Sequence, residues 1–350
     1  LEKIIVIEKL ASSQKETFSS KIFSFKALFS LHQSDDFEKI FLDPDEICSI
    51  IYTSGTTGVP KGVCLTHRNF LSNVEAINEI IPVKENDVFL SFLPLSHVLE
   101  RTAGYYMPLF LGGAIAYAEN TKQLPHNLKE VKPTILISVP RIFDKFHDAI
   151  WDKVNASPMQ KEFFKWALRQ KKNSFRYKIA NFIVFKKIRS QLGGRLRLTV
   201  SGGASLNEKI ARFFLKIGIT ILEGYGLTES SPVISVNREG DLKFGTVGKI
   251  VPGVKIKISE NKEILVKGPN ITQGYFKNRK ETKFAFDKDG WFCTGDLGFI
   301  DRQGFLTIIG RGKEMIVTSG GKNVWPEPIE NLLNDDKFIS QSMVLGNGRK

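Results

Sequence analysis

Tyr52-Thr-Ser-Gly-Thr-Thr-Gly-Val-Pro-Lys-Gly62 is the stretch on which the reading of this chain turns. It gathers four hydroxyls (Thr53, Ser54, Thr56, Thr57), two flexible glycines (Gly55, Gly58) and a cation (Lys61). The preceding Glu46-Ile-Cys-Ser-Ile-Ile51 reads as a short buried strand. Hydroxyls, bare backbone N–H groups and a lysine at a strand end form an anion cradle, and the natural anion is a polyphosphate. An ordinary Ser/Thr/Gly turn has no use for so many hydroxyls beside a lysine. The common P-loop is excluded, because Pro60 precedes Lys61 and no Gly-x-x-x-x-Gly-Lys-Ser/Thr occurs in the chain.

Three further segments extend the pattern. In Gly224-Tyr-Gly-Leu-Thr-Glu229 the glycines admit a planar ligand to the backbone, Tyr225 offers a stacking face, and Glu229 offers a hard oxygen for Mg²⁺. In Gly290-Trp-Phe-Cys-Thr-Gly-Asp-Leu297 an aspartate after a Thr-Gly turn suits the two hydroxyls of a ribose; the plainer reading of Asp296 is a turn cap. Gly310-Arg-Gly-Lys-Glu-Met-Ile316 and Thr318-Ser-Gly-Gly-Lys-Asn323 follow, with Arg311 in reach of ribose or phosphate, or else a plain surface arginine.

The 350 residues, 42% hydrophobic, suit two or three domains with a sizeable core. Both ends read as cut, so a longer protein is expected. Three cysteines (Cys48, Cys64, Cys293) without metal or disulfide spacing fit a reducing, cytoplasmic setting. Thr102–Ala118 is uncharged but broken by Gly104, Pro108, Gly112 and Gly113, and reads as a buried helix and strand rather than a membrane span. The net charge of +13 concentrates in 161–197, where twelve Lys/Arg and one acid (Glu162) alternate with aromatics. That segment reads as a solvated helical face or as a peripheral contact with an anionic membrane, such as the inner membrane face. A nucleic-acid partner is not expected.

From Cys48 onward strands and helices alternate, with Thr134–Val139 of the buried parallel type. After Pro232 short strands recur between turns. The expected fold class is α/β: parallel sheets with crossover helices, a small antiparallel β-subdomain, and the start of a separate α+β C-terminal domain. The expected limits are 1–312 for a large domain (46–232 the α/β core, 233–312 β-rich) and 313–350 for the start of a small one. Ligands gather at the carboxyl ends of such parallel strands, where Thr53–Lys61, Ser201–Ala204 and Gly224–Glu229 are expected.

In order and spacing, the four segments resemble the adenylate-forming, AMP-binding enzymes. Leu93-Pro-Leu-Ser-His-Val-Leu-Glu-Arg101, Val139-Pro-Arg-Ile-Phe143, Leu192-Gly-Gly-Arg-Leu-Arg197, Ser201-Gly-Gly-Ala204, Gly245-Thr-Val-Gly248 and Val317–Asn323 resemble the long-chain fatty acyl-CoA synthetase branch. The resemblance implies ATP-dependent conversion of a fatty acid to acyl-AMP with loss of pyrophosphate, then transfer to a thiol. That thiol is coenzyme A or, as the alternative, an acyl carrier protein. It implies that Thr53, Ser54, Gly55, Thr56, Thr57, Gly58 and Lys61 hold the β- and γ-phosphates, and that Thr53 and Glu229 bind Mg²⁺. It places Gly202, Gly203, Ala204, Glu223, Gly224, Tyr225 and Gly226 around adenine, Thr228 near the α-phosphate, and Asp296 and Arg311 on the ribose. Lys313 falls at the hinge of the small domain. His97 falls near the carboxylate and acyl tunnel, against the plainer reading of a helix-capping histidine. Thr53, Lys61, His97, Thr228 and Glu229 are the expected catalytic set. The family's adenylation lysine lies beyond residue 350, so these 350 residues are expected to bind ATP weakly and adenylate poorly. An adenylation domain for amino or aryl acids is disfavoured, because Ser201-Gly-Gly stands where an aspartate for the α-amino group would favour it.

Overall fold

The computed structural model describes residues 4–6, 22–24, 41–53, 60–318, 323–334, 336, 338–339 and 341–346. It divides into two compact units, 1–43 and 44–350. In the first, the strands Ile4–Val6 and Ile22–Ser24 pair in parallel. The second of these lies in a stretch that reads as irregular, because three residues are too short a run to signal a strand.

The second unit is built on a seven-stranded sheet. Across it run Lys249–Ile250, Val233–Val236, Thr220–Gly226, Leu198–Ser201, Ile135–Ser138, Val88–Ser91 and Ala114–Tyr117. The last five are mutually parallel, and Val233–Val236 returns antiparallel to Thr220–Gly226. Successive strand residues point to opposite faces, so each strand feeds two cores. Leu90, Leu136 and Ile221 pack under the helices Pro140–Asn155, Pro158–Arg169 and Glu208–Ile217. Phe89, Ile135, Ile137 and Leu222 pack on the other face with Val74, Ile77 and Met107. Sequence alone reads Thr134–Val139 as a continuous apolar run, as two buried faces require.

The opposite ends of three parallel strands are tied by the residues just before them. Asp87, 2% exposed, accepts from the Thr134 hydroxyl at 2.6 Å and pairs with Arg197. The Val88 N–H in turn donates to the Thr134 hydroxyl at 2.9 Å. Burial pushes the Asp87 carboxyl up, and the hydrogen bonds from Arg197, Thr134 and the Lys84 amide outweigh it, holding it below the usual carboxylate range.

Two smaller sheets flank the first. Gly274–Tyr275, Lys61–Thr66 and Ile47–Thr53 form one; Lys255–Ile258, Glu263–Lys267, Phe292–Ile300 and Leu306–Arg311 form an antiparallel meander. Two expectations change here. Ile47–Thr53 is not a buried strand: it is a sheet edge, with Ile47, Ile50 and Tyr52 exposed. It also pairs antiparallel with Lys61–Thr66. The stretch between them therefore joins two hairpin strands and does not follow a strand of the parallel sheet. Its residues Ser54, Gly55, Thr56, Thr57 and Gly58 lie outside the described residues.

The helix expected within Thr102–Ala118 starts earlier and is wound as a π-helix over Glu100–Tyr106 before continuing as α-helix over Met107–Leu111. The Met107 N–H reaches back five residues to the Thr102 carbonyl. Such turns are concentrated at functional sites. Among the described residues no helix is long and apolar enough to cross a membrane.

Candidate active site

The carboxyl ends of Leu198–Ser201 and Thr220–Gly226 open on a cavity of about 1420 Å³. The Thr220–Gly226 strand runs further than the sequence suggests, so Gly224, Tyr225 and Gly226 are strand residues and the turn begins at Thr228. A Cβ on Gly226 would stand 1.8 Å from the Pro232 carbonyl oxygen, so only glycine lets the returning strand close here.

The turn Thr228–Ser230 is pinned by polar side chains from several elements. Asn73, on the helix His67–Ile80, donates to the Val233 carbonyl (2.8 Å) and accepts from its N–H (3.2 Å). Asn270 donates to the carbonyls of Ser230 and Val233, Thr102 to that of Ser231. The Thr272 N–H donates to the Glu229 carbonyl at 2.8 Å. Buried polar groups that satisfy each other in this way fix a turn in one geometry.

Of the residues singled out from sequence, Thr53, Lys61, His97, Gly202, Gly203, Gly224, Tyr225, Gly226, Thr228, Glu229, Arg311 and Lys313 line the one cavity. Asp296, Glu223 and Ala204 are not on that wall. Asp296 is 4% exposed and lies within the strand Phe292–Ile300, so it is no turn cap. It accepts the Tyr225 phenol at 2.7 Å and pairs with its cross-strand partner Arg311 at 3.3 Å. Burial pushes the Asp296 carboxyl up, against the opposing pull of Tyr225 and Arg311. Burial likewise raises the Tyr225 phenol, which stays a donor. The Glu223 carboxylate accepts the Leu206 N–H at 3.0 Å and so holds the segment after Ala204. Arg311 ends the strand Leu306–Arg311, and the expected break begins at the turn Gly312–Glu314.

His97 is exposed, and its Nδ1 accepts the Leu99 N–H at 3.3 Å. It thus caps the helix start while facing the cavity. Arg101, one turn on, reaches the Ser49 hydroxyl at 2.7 Å and the Leu95 carbonyl at 3.0 Å.

Two functional partners escaped the sequence reading. The Tyr275 phenol donates to Glu229 Oε1 at 2.9 Å. Burial first, and then the Glu229 charge, raises its pKa, so it too remains a donor. Glu281 forms a closed ion pair with Lys61, whose Nζ lies 5.5 Å from the Tyr275 ring centre. Neither residue belongs to a motif; each is recognisable only once distant strands are assembled.

The cavity also has an apolar side, its second arm, lined by Ile77, Leu99, Ala103, Met107, Ile137 and Leu198, all members of one packed cluster. Leu99, Ala103 and Met107 recur every four residues, from just before the π-helical segment to just after it.

The chemistry of the polar arm fits a nucleotide and a hard cation. Gly203 and Gly295 have positive φ and face open space, so a planar ligand meets bare backbone there. Glu229 is a hard oxygen donor whose orientation Tyr275 fixes. No group of three His, Cys, Asp or Glu among the described residues is placed to hold a metal. Magnesium shared with phosphates needs only one or two protein oxygens.

A family model described as AMP-binding enzyme matches residues 2–276. The chain belongs to the AMP-binding enzyme family. It is 40% identical over 86% of its length to a long-chain-fatty-acid–CoA ligase, FadD15, of Mycobacterium bovis, covering 52% of that protein. It is 35% identical over 98% of its length to the peroxisomal long chain acyl-CoA synthetase 6 of Arabidopsis thaliana, again covering 52%. These relatives put it in the fatty acyl-CoA synthetase branch of the family. The chain spans about half the length of the curated relatives it matches. Among solved structures, ATP-bound MatB of Rhodopseudomonas palustris is 26% identical, with a TM-score of 0.73, over 96% of this chain and 64% of that one. The o-succinylbenzoate CoA synthetase MenE of Bacillus subtilis shares the fold at 21% identity and a TM-score of 0.75, over 100% of this chain and 66% of that one. The mixed α/β architecture is therefore that of the adenylate-forming enzymes.

Proposed function

We infer that the cavity is the adenylation site of a long-chain fatty acid–CoA ligase. The observation that carries this reading is one cavity with two kinds of lining: polar groups suited to a nucleotide and an apolar set suited to an acyl chain. In the first step a fatty carboxylate oxygen attacks the α-phosphorus of ATP. The bond to the β-phosphate oxygen breaks, and pyrophosphate leaves with its electron pair. In the second, the thiol of coenzyme A attacks the acyl carbon, the carbonyl carbon–oxygen bond to AMP breaks, and the thiol proton passes to solvent.

In this reading Lys61 and the hydroxyls around Thr53 hold the β- and γ-phosphates. Gly202, Gly203 and Tyr225 lie along the adenine. Arg311 orients the ribose, positioned by Asp296, which Tyr225 holds in turn. Thr228 stands by the α-phosphate, and His97 stands at the junction of the arms, by the carboxylate. Glu229 and Thr53 would hold Mg²⁺, which when bound neutralises charge on the leaving phosphates. The apolar arm excludes water from the acyl chain, and with it from the neighbouring anhydride. The segment from Lys313 opens a smaller domain, with Lys313 at the hinge. The exposed basic and aromatic surface of 161–197 meets an anionic membrane, from which a fatty acid is drawn.

The test is titration of the 350-residue chain with non-hydrolysable acyl-sulfamoyl adenosines, which occupy both arms. Each buried methylene contributes about 0.8 kcal/mol. A palmitoyl analogue should therefore bind at least about a hundredfold more tightly than an acetyl one. Equal affinities would remove the apolar arm from the reading, and no binding by either would overturn it.

A further inference from the structure

We propose that Glu281 is an internal counter-anion that competes with polyphosphate for Lys61, holding the phosphate arm closed on itself before ATP arrives and speeding pyrophosphate on its way out. The proposal rests on the reading of the cavity as an ATP site.

Lys61 is the more enclosed member of the pair: its side chain is 15% exposed against 34% for Glu281. An ammonium in that position needs an anion beside it. The carboxylate that supplies it is fixed in place. Glu281 sits in the first turn of the short helix Arg279–Ala285, and its own N–H is capped by the Asn278 side chain at 3.1 Å. Thr282 ties that helix down, donating to the Asn278 carbonyl at 2.9 Å and accepting the Tyr275 N–H at 3.0 Å. Tyr275 lies under Lys61 and holds Glu229. Lys61 and Glu229, the cation and the carboxylate proposed for the polyphosphate and its metal, are thus both engaged by one small unit, Gly274–Ala285.

The charges around Glu281 agree. The hydrogen bond from Lys61 comes first, and the charges of Lys61, Lys313 and Lys280 add to it, all holding the carboxyl below the usual range. It is therefore an anion at any working pH. A polyphosphate placed on Lys61 brings several negative charges against it. Either Glu281 gives up the lysine or both anions share one ammonium at a cost in repulsion. In both cases polyphosphate affinity is lower than the cradle alone would give, and release is faster.

The experiment is calorimetric titration of the 350-residue chain with magnesium pyrophosphate, with dissociation followed by stopped flow. Glu281→Gln removes the charge and keeps the shape; Glu281→Ala is a second neutral variant; Glu281→Asp keeps the charge. A partly exposed ion pair is worth up to about fivefold in affinity. Both neutral variants should therefore bind pyrophosphate about two- to fivefold more tightly and release it more slowly, with Glu281→Asp closer to the parent. Unchanged or weaker binding in the neutral variants, while the parent binds, overturns the proposal alone and leaves Glu281 as a support for Lys61. If the parent chain binds neither pyrophosphate nor ATP, the reading of the cavity falls, and the proposal with it.

Discussion

At Glu100 a carboxyl is folded into the protein with neither oxygen hydrogen-bonded among the described residues. It lies against Gly104, where a Cβ would stand 2.5 Å from Oε1, so any larger residue there makes the carboxyl shift. Burial pushes its pKa up to about 7; the Ser91 hydroxyl and Phe92 backbone pull the other way without completing a hydrogen bond of normal geometry. The sign follows from linkage. The folded state keeps the proton between about pH 4.5, the ordinary value, and about 7, while the unfolded chain has lost it. Stability from this group is therefore present below the lower value and lost as pH rises through the upper one, by on the order of 3 kcal/mol. Glu100→Gln mimics the protonated form and should remove that slope. Urea unfolding at pH 5 and pH 8 should show the variant gaining on the parent by roughly 2–3 kcal/mol at the higher pH. An advantage that does not change with pH would refute the assignment. The same helix supplies Leu99, Ala103 and Met107 to the apolar arm, so this residue supports a wall of the cavity without touching its contents.

Among the elements, the parallel strands depend on the polar clasp below them. Asp87, Thr134 and Arg197 each stand immediately before a strand, at Val88, Ile135 and Leu198. Removing Arg197 leaves a buried carboxylate without its cation, whereas removing both charges does not. Arg197→Ala should cost about 2–3 kcal/mol in denaturant unfolding, below the full buried-pair cost because the arginine is 34% exposed. The double variant Asp87→Asn/Arg197→Ala should recover part of that loss. A double variant as unstable as the sum of the singles would show that the pair is not coupled. The clasp sits at the amino ends of the strands, away from the polar groups at their carboxyl ends, so its loss is expected to lower stability without removing any of those groups.

For the whole molecule, charge distribution is the property to test. Of the net charge of +13, the stretch 161–197 holds twelve basic residues against Glu162, which is itself paired with Lys165. The sequence leaves its aromatics undecided between core and surface, and the structure divides them. Phe164 and Phe185 are buried, while Phe175 and Phe182 are 76% and 72% exposed, as are Ile183 and Met159 at 52% and 80%. Lys186 lies over the Phe182 ring at 5.5 Å. Exposed rings among lysines match an anionic lipid surface, where each nearby Lys or Arg contributes about 1 kcal/mol. The chain should co-sediment with phosphatidylserine-containing vesicles, not with neutral ones, and should be released by high salt. Phe175→Ser with Phe182→Ser should weaken that binding at moderate salt. Equal binding to neutral vesicles, or none to either, would overturn the membrane contact.

The sequence by itself determined the family and most of the elements, and it supplied the expectation for the site. Motif order named an anion cradle, a planar-ligand strand end and a basic-aromatic segment, and apolar runs such as Thr134–Val139 announced buried parallel strands. Those signals are local: periodicity, turn chemistry and the order of short motifs survive in a one-dimensional string. Tertiary structure alone decided that Ile47–Thr53 is an exposed hairpin edge, because burial depends on which neighbours arrive. It alone joined Asp296 to Tyr225 across 71 residues, Tyr275 to Glu229 across 46 and Glu281 to Lys61 across 220. Pairings at those separations carry no spacing signal. They are fixed when separate sheets dock, and that docking turned a string of motifs into one two-armed cavity.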